Sequence, residues 1–578
     1  MAFFRDAKSA AFLAAVLVAL PFASSEFVAY QIALFLIYGI AAQGVALCWG
    51  RLGFLPLGHA LFFGLGAYLF GGMLKGAESN PALYLALPLA VVAPALLAYV
   101  IARLVFARSS RSGPYFSLIT LALTMLGFLA AQQWSGLTGG FNGMTDIPDI
   151  PGTARYETLY WLVAAVAVIS TLVLAMLAAR PIGVIWEAVA QNEERLQLLG
   201  YATDRVKANA YAFSGLLAAA AGALFSAHQG IVTPQAMSFI LSTEFVIWAA
   251  VGGKGSSLGP LLGATVVGYA SAELREQFLY WEVAVAALFI VVVLFLPNGV
   301  AGLLKRRADP RHSEDSPAPA THEAATTTAP VSLTLDGVKT AQSGVTILDG
   351  LSLALSGPGI RCVIGPNGAG KTSSFNVITG RLPLLGGGVT LNGHDIGGLS
   401  AWRVARKGIG RKMQVPSVFP DLTVRENLGL AVWAGRASAV DTLRRATLGW
   451  HTSLLAEILQ EFPALASQLD APAGTLAQGH RQALELAMTL LPEPKLVLLD
   501  EPCAGLSPGE THQMIDAIKA LVSRIGAAAL LIEHDITAVD AMGGDVYVLH
   551  QGRLLDKGSL ADIQASAAVR AVYAGGRK

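Results

Sequence analysis

The chain has 578 residues, 54% of them hydrophobic and 14% charged, with a net charge of +1. So many residues exceed what one core can organise, so at least two domains are expected, and a near-neutral balance argues against a nucleic-acid-binding surface. The three cysteines, Cys48, Cys362 and Cys503, lie far apart and lack metal-ligand spacing, which argues against a disulfide framework and a zinc site.

Up to about Val300 the sequence is a series of apolar runs. Spans are read near 10–24, 28–49, 55–74, 82–105, 114–134, 158–178, 208–229, 234–250, 256–272 and 283–300. Several fall short of the ~20 residues of a full crossing, and the pair at 234–272 is compatible with re-entrant segments. Arg5 and Lys8 ahead of the first run, with Ala23-Ser24-Ser25 behind it, fit a signal peptide or a first span. The distribution of charge along the chain agrees with a span. With the N-terminus in the cytoplasm, the inner segments carry Arg5, Lys8, Arg51, Arg103, Arg108, Arg111, Arg180, Arg195, Arg205, Lys207, Lys254, Lys305, Arg306 and Arg307. The outer segments carry Lys75, Arg155 and Arg275. This is the positive-inside bias of a multi-pass protein in lipid, and it puts the second half of the chain in the cytoplasm.

Two loops stand out. Residues 180–207, with Trp186, Glu187, Ala188, Val189, Asn192, Glu193 and Glu194, predict a short amphipathic helix lying against a partner. Residues 134–157 hold Trp134, Thr138-Gly139-Gly140, Asn142-Gly143 and Ile147-Pro148, turn chemistry that predicts a structured cap. Small residues such as Gly58, Gly64, Gly66, Gly71 and Ala218–Gly222 permit close helix approach. Glu244 is an acid in an apolar run, a candidate for function. Residues 308–330, rich in Pro, Ala, Ser and Thr, read as a flexible tether between a membrane domain at 1–307 and a soluble α/β domain at 331–578.

In that second domain an apolar strand at Ile360–Ile364 runs into Gly365-Pro366-Asn367-Gly368-Ala369-Gly370-Lys371-Thr372, with a helix predicted from Lys371. This strand–loop–helix pattern wraps backbone amides round phosphates, with Lys371 on the β/γ-phosphates and the Thr372 hydroxyl on Mg2+. Lys495–Leu499 reads as a buried parallel strand ending in Asp500-Glu501. Asp500 suits Mg2+, and Glu501 suits polarising an attacking water. Gln414 follows a short strand and could reach both metal and water; His534, after the strand Ala528–Ile532, could hold a γ-phosphate. A phosphate loop and membrane spans in one polypeptide point to ATP spent on moving a solute through a bilayer.

The order phosphate loop, Gln414, Gly479, Asp500-Glu501, His534 resembles the ATP-binding domain of ABC transporters across 331–578. Leu-Asp-Gly-Leu-Ser-Leu (348–353), Phe-Pro-Asp-Leu-Thr-Val-Arg-Glu-Asn-Leu (419–428), Ile-Glu-His-Asp (532–535) and Val572-Tyr573 are similar to its branched-chain amino-acid import subfamily. The run from Leu57 to Tyr68, Thr120-Leu121-Ala122, Trp134 with Thr138-Gly139-Gly140, Val251–Gly255 and Phe295–Gly299 resemble that subfamily's LivM-type permease. The fold expected is therefore a polytopic α-helical membrane domain of about 8–10 spans followed by an α/β P-loop ABC ATPase domain. A LivM-like permease would be fused to a LivG-like ATPase.

The resemblance implies ATP and Mg2+ as cofactors. It also implies a LivH-like second permease, a LivF-like second ATPase, a periplasmic solute-binding protein, surrounding lipid, and residence in a bacterial inner membrane. It makes 180–207 the coupling segment. In this family a signature, Leu-Ser-Gly-Gly-Gln, faces the nucleotide of the opposite ATPase; here it is Leu476-Ala477-Gln478-Gly479-His480, so the serine hydroxyl is missing. The aromatic expected under adenine is replaced by Gln342. The leading reading is import of small amino-acid-like solutes, branched-chain amino acids first, with urea, short amides or aromatic acids as alternatives. A homodimeric exporter and a membrane-tethered regulatory ATPase are the competing classes.

Overall fold

The computed structural model describes every residue except 1, 107–112, 278–279, 297–298, 304–315, 320–330, 445–448 and 576–578. Arg108, Arg111, Lys305, Arg306, Arg307, the Pro297-Asn298 pair and all of the 308–330 segment but 316–319 thus lie outside the described residues. The chain forms two compact units: residues 1–190 with 203–311, and residues 191–202 with 312–578.

The first unit is helical. Its principal helices are α1 (Ala2–Ala23), α2 (Glu26–Ala46), α3 (His59–Ala77), α4 (Leu89–Phe106), α5 (Gly113–Gln133), α6 (Leu159–Ala178), α7 (Pro181–Leu198, which runs on into the second unit), α8 (Thr203–Gln229), α9 (Phe239–Gly252), α10 (Gly259–Gln277) and α11 (Trp281–Phe295). A helix thus covers the greater part of each apolar segment read from the sequence. Among the described residues six helical stretches are long and apolar enough to cross a membrane: Glu26–Arg51, His59–Ala77, Pro81–Phe106, Pro114–Gln133, Leu159–Ala178 and Thr203–Gln229. A helix satisfies its own backbone polar groups, which is what a lipid environment demands.

Small residues set the spacing of the central pair. A Cβ on Gly222 of α8 would lie 1.8 Å from the Phe63 carbonyl oxygen of α3, and one on Gly66 would lie 2.3 Å from the Ala219 oxygen. The backbones of α3 and α8 therefore touch, and dispersion between them replaces the hydrophobic drive that lipid does not supply. Several polar side chains inside this unit pair with one another. Gln43 Nε2 donates to Thr171 Oγ1 and to Ser257 O, both at 2.8 Å, while Ser170 Oγ donates to Gln43 Oε1 at 2.7 Å. His59 bonds Ser214. Glu244 sits half-buried within α9.

The 134–157 loop is tied to the 227–232 segment by backbone bonds and by its own Arg155 side chain. Met144 and Val232 exchange N–H···O bonds of 2.8 and 2.9 Å. Arg155 donates to Ala227 O at 2.9 Å and Ile147 O at 2.7 Å, and pairs with Asp149 at 2.9 Å.

The second unit is α/β. Strands β1 (Ser332–Gln342), β2 (Val345–Ser356) and β4 (Gly386–Leu391) form an antiparallel sheet with a short fourth strand, His394–Asp395. The central sheet has six strands: β3 (Gly359–Ile364), β5 (Ile409–Lys412), β6 (Leu496–Asp500), β7 (Ala528–Ile532), β8 (Asp545–His550) and β9 (Arg553–Gly558). Its order is β9-β8-β3-β7-β6-β5, parallel except for β9. β6 and β7 are buried along their whole length, which explains their unbroken apolar runs. The core between the sheets is built from residues such as Leu333, Leu348, Phe375, Leu498 and Tyr547.

Candidate nucleotide site

The register of the central sheet builds the site. Ile532 of β7 pairs with Asp500 of β6 on one side and Val363 of β3 on the other. Three parallel strands therefore end in one row, and the segments that leave them, 365–372, 501–507 and 533–535, emerge along the same edge. Ligands of open α/β sheets sit at that carboxyl edge.

The phosphate loop leaves β3 at Gly365, whose φ of +152 is open to glycine; a Cβ there would also lie 2.2 Å from Leu549 O. Asn367, Gly368 and Ala369 complete the turn, and Gly370 leads into helix α12 (Lys371–Ile378). Lys371 Nζ folds under the loop and donates to Gly365 O at 2.8 Å and Pro366 O at 3.1 Å. Burial lowers the Lys371 pKa from its ordinary value, while the Glu501 and Asp500 carboxylates oppose the shift.

Thr372 Oγ1 donates to Asp500 Oδ1 at 3.3 Å. Asp500 is 1% exposed. Its Oδ2 is buried with no hydrogen-bond partner among the described residues, facing Arg411 Nη2 at 3.7 Å. Burial raises the Asp500 pKa, against the pull of Arg411 and the Thr372 hydroxyl. The next residue, Glu501, has φ +43, uncommon for a residue other than glycine; its N–H donates to Ile532 O at 2.9 Å, which holds the turn. Glu501 Oε1 lies 3.0 Å from His534 Nε2.

Gln414 lies in an exposed bend two residues beyond β5. Ala477 caps helix α14 (Gln478–Leu490; α13 is Val424–Trp433) in extended conformation without a side-chain bond, and Gly479 and His480 lie in its first turn. Gln342 is exposed at the end of β1. The structure thus gathers 365–372, Asp500, Glu501 and His534 at one edge. For Gln414 it gives an exposed position after β5, and for Gly479 a position at the start of α14.

Behind these residues lies a group of charges that no sequence motif marks. Arg411, Lys412 and Glu485 are fully buried, and so is Arg195 from the 191–202 segment. Glu485 Oε2 lies 3.6 Å from Lys412 Nζ, and its Oε1 accepts from the Met413 N–H at 2.9 Å. Arg411 Nη1 donates to Thr379 Oγ1 at 2.8 Å. Burial raises the Glu485 pKa and lowers those of Lys412 and Arg411. The signal that could have found them is a charge inside an apolar pattern: Glu485 between Leu484 and Leu486, and Arg411-Lys412 closing a short strand.

The donor set suits a nucleotide with a hard divalent cation. The Asp500 carboxylate and the Thr372 hydroxyl that donates to its Oδ1 are oxygen donors of the kind Mg2+ takes, next to a glycine-lined loop and a lysine.

Known proteins resemble both parts of the chain. Residues 27–296 match the family model described as branched-chain amino acid transport system / permease component, and residues 348–504 match that of the ABC transporter. The chain is similar to the high-affinity branched-chain amino acid transport ATP-binding protein BraF of Pseudomonas aeruginosa, 34% identical over 254 residues, 42% of this chain and 97% of that protein. The corresponding LivG proteins of Salmonella typhimurium and Escherichia coli are each 32% identical over 253 residues, again 42% of this chain and 97% of theirs. The second unit is an ABC ATPase domain, homologous to cassettes that bind nucleotide and hydrolyse ATP to drive transport. The chain belongs to the ABC transporter family, with a permease domain of the branched-chain amino acid transport type and an ATP-binding domain joined in one polypeptide.

Proposed function

We propose that this chain is the fused permease and ATPase subunit of an importer for small amino-acid-like solutes, branched-chain amino acids first, in a bacterial inner membrane. One observation carries the reading: a permease-type membrane unit and an ABC ATPase domain share one polypeptide. The working division is a permease over 1–307, a tether over 308–330 and the ATPase over 331–578. Partners would be a second permease, a second ATPase that completes the paired nucleotide sites, and a solute-binding protein.

In this reading the amides of Gly365–Gly370 and the Lys371 ammonium bind and orient the β/γ-phosphates. Thr372, Asp500 and Gln414 would hold Mg2+. When bound, Mg2+ neutralises charge on the phosphate oxygens. Glu501 accepts the proton of the attacking water, and His534 steadies both Glu501 and the γ-phosphate. The signature around Gly479 serves the partner ATPase's nucleotide, with backbone amides but no serine hydroxyl. The 180–207 segment carries the motion of the closing ATPase pair to the permease.

The test is purification of the tagged chain from its native membrane with its companions, then reconstitution in vesicles with radiolabelled leucine. Uptake that needs ATP and a binding protein, and vanishes in Glu501→Gln, is the expected result. Recovery of the chain alone as a dimer that expels solute would overturn it in favour of export.

A further inference from the structure

The segment 191–202 is covalently part of the loop between α6 and α8, yet it folds into the ATPase unit. Its helix breaks at Asn192 (φ −155, ψ 79), whose Oδ1 accepts from the Arg195 N–H at 3.0 Å and whose Nδ2 donates to Ser417 Oγ at 2.9 Å. Gln191 Oε1 accepts from the Asp421 N–H at 2.8 Å, and Gly200 O accepts from Arg406 Nε at 2.8 Å. These contacts hold the segment at its ends. Between them Arg195 runs inward, to 0% side-chain exposure.

There its guanidinium reaches two elements at once. Nη1 donates to Arg411 O of β5 at 2.7 Å. Nη2 donates to Glu485 O and Thr489 Oγ1 of α14, both at 3.1 Å, and Nη1 lies 3.7 Å from the Glu485 carboxylate. From β5 the Arg411 side chain continues to Asp500 Oδ2 at 3.7 Å, and Asp500 accepts from Thr372. β5 also leads directly to Gln414, and α14 begins at the signature. A buried arginine is costly unless its donors are used; here Nη1 and Nη2 span the strand before Gln414 and the helix after Ala477, while Nε has no hydrogen-bond partner among the described residues.

We propose that Arg195 is a positioning residue for ATP hydrolysis: by tying β5 to α14 it fixes, through Arg411, the placement of Asp500. The inference rests on the ATPase roles proposed above. It makes one residue of the permease loop part of the frame of the hydrolytic site. Withdrawing Arg195 leaves the Arg411 carbonyl to the longer 3.4 Å bond from the Thr489 hydroxyl, and the Glu485 carboxylate to Lys412 and the Met413 N–H. Misplacement by about 1 Å at a supporting residue can cost on the order of a hundredfold in rate. Binding through the phosphate loop, whose contacts lie on β3 and α12, is left alone.

The experiment uses the assembled transporter and measures MgATP turnover in Arg195→Met, Arg195→Lys and Glu501→Gln, with a Mg2+ titration of each. Arg195→Met is expected to lower kcat about tenfold or more, to leave the KM for ATP within about threefold, and to raise the half-saturating Mg2+ concentration. Arg195→Lys should fall between, because an ammonium restores the charge beside Glu485 but not the two-armed contact. Wild-type kcat in Arg195→Met overturns the proposal. So does equal loss in both variants with KM rising in step, the mark of a merely structural plug. Should Arg195→Met fail to assemble, Arg195→Lys decides: reduced kcat at unchanged KM supports the proposal, and wild-type kcat overturns it. Turnover surviving in Glu501→Gln would instead sink the assignment of the hydrolytic residues, a separate failure.

Discussion

His534 Nε2 stands 3.0 Å from Oε1 of Glu501, each residue just past the end of one of two paired parallel strands. The pairing holds the carboxylate in one orientation without using its second oxygen. Glu501→Gln keeps that geometry and removes the proposed base, so hydrolysis is expected to fall by roughly a hundredfold or more. ATP binding should persist, because the phosphate loop is untouched. Phosphate release and nucleotide binding measured side by side check this; a variant retaining more than about a tenth of the activity would contradict the role.

Ala477 already has the extended backbone of an N-cap, φ −59 and ψ 159, but offers no side-chain acceptor to the first turn of α14. Ala477→Ser supplies one. It is expected to stabilise the ATPase unit by about 0.5–2 kcal/mol, read as a rise in its thermal transition. The same hydroxyl should speed hydrolysis at the proposed partner ATPase site. An unchanged transition temperature would show that the cap is not formed.

Gly222 meets the Phe63 carbonyl where no side chain fits. Gly222→Ala must push α3 and α8 apart, and overpacking of this kind costs about 1–3 kcal/mol. Thermal unfolding of the membrane unit in detergent should shift downward accordingly. An unshifted transition would mean that the helix pair tolerates separation.

Cys503 is half-buried, whereas Cys48 and Cys362 are buried, so it is the thiol open to alkylation. Burial, and after it the neighbouring Glu533, pushes its pKa up to about 12. A raised thiol pKa keeps the neutral form to higher pH, so thiolate is scarce throughout the neutral range. Iodoacetamide labelling should be roughly a thousandfold slower than for an ordinary thiol and climb about tenfold per pH unit without levelling off by about pH 9.5. A plateau near pH 9 would remove the effect of burial.

The phosphate loop and the membrane helices were legible because their chemistry is local. A loop that wraps phosphate needs glycine at set positions, and a span needs a long apolar run. Charge burial is not local. In the sequence Arg195 is one of many charges on the inner side, yet in the fold it is enclosed by Arg411, Glu485 and Thr489. No short window contains that information. The break at Asn192 was likewise hidden inside an amphipathic pattern, since its cap to Arg195 shows only in three dimensions. Lys412 and Glu485 went unread because each neutralises the other from a different element.

Arg195 and Glu485 are separated by 290 residues. At the usual pace of synthesis, Arg195 leaves the ribosome roughly 15–60 s before its partner exists. For that interval the segment waits in water with its charge hydrated, between helices already being threaded into the bilayer. The ATPase half therefore has no complete native state until a piece made long before it returns. The two halves mature in series, and a stall in membrane insertion would surface as an unfinished ATPase.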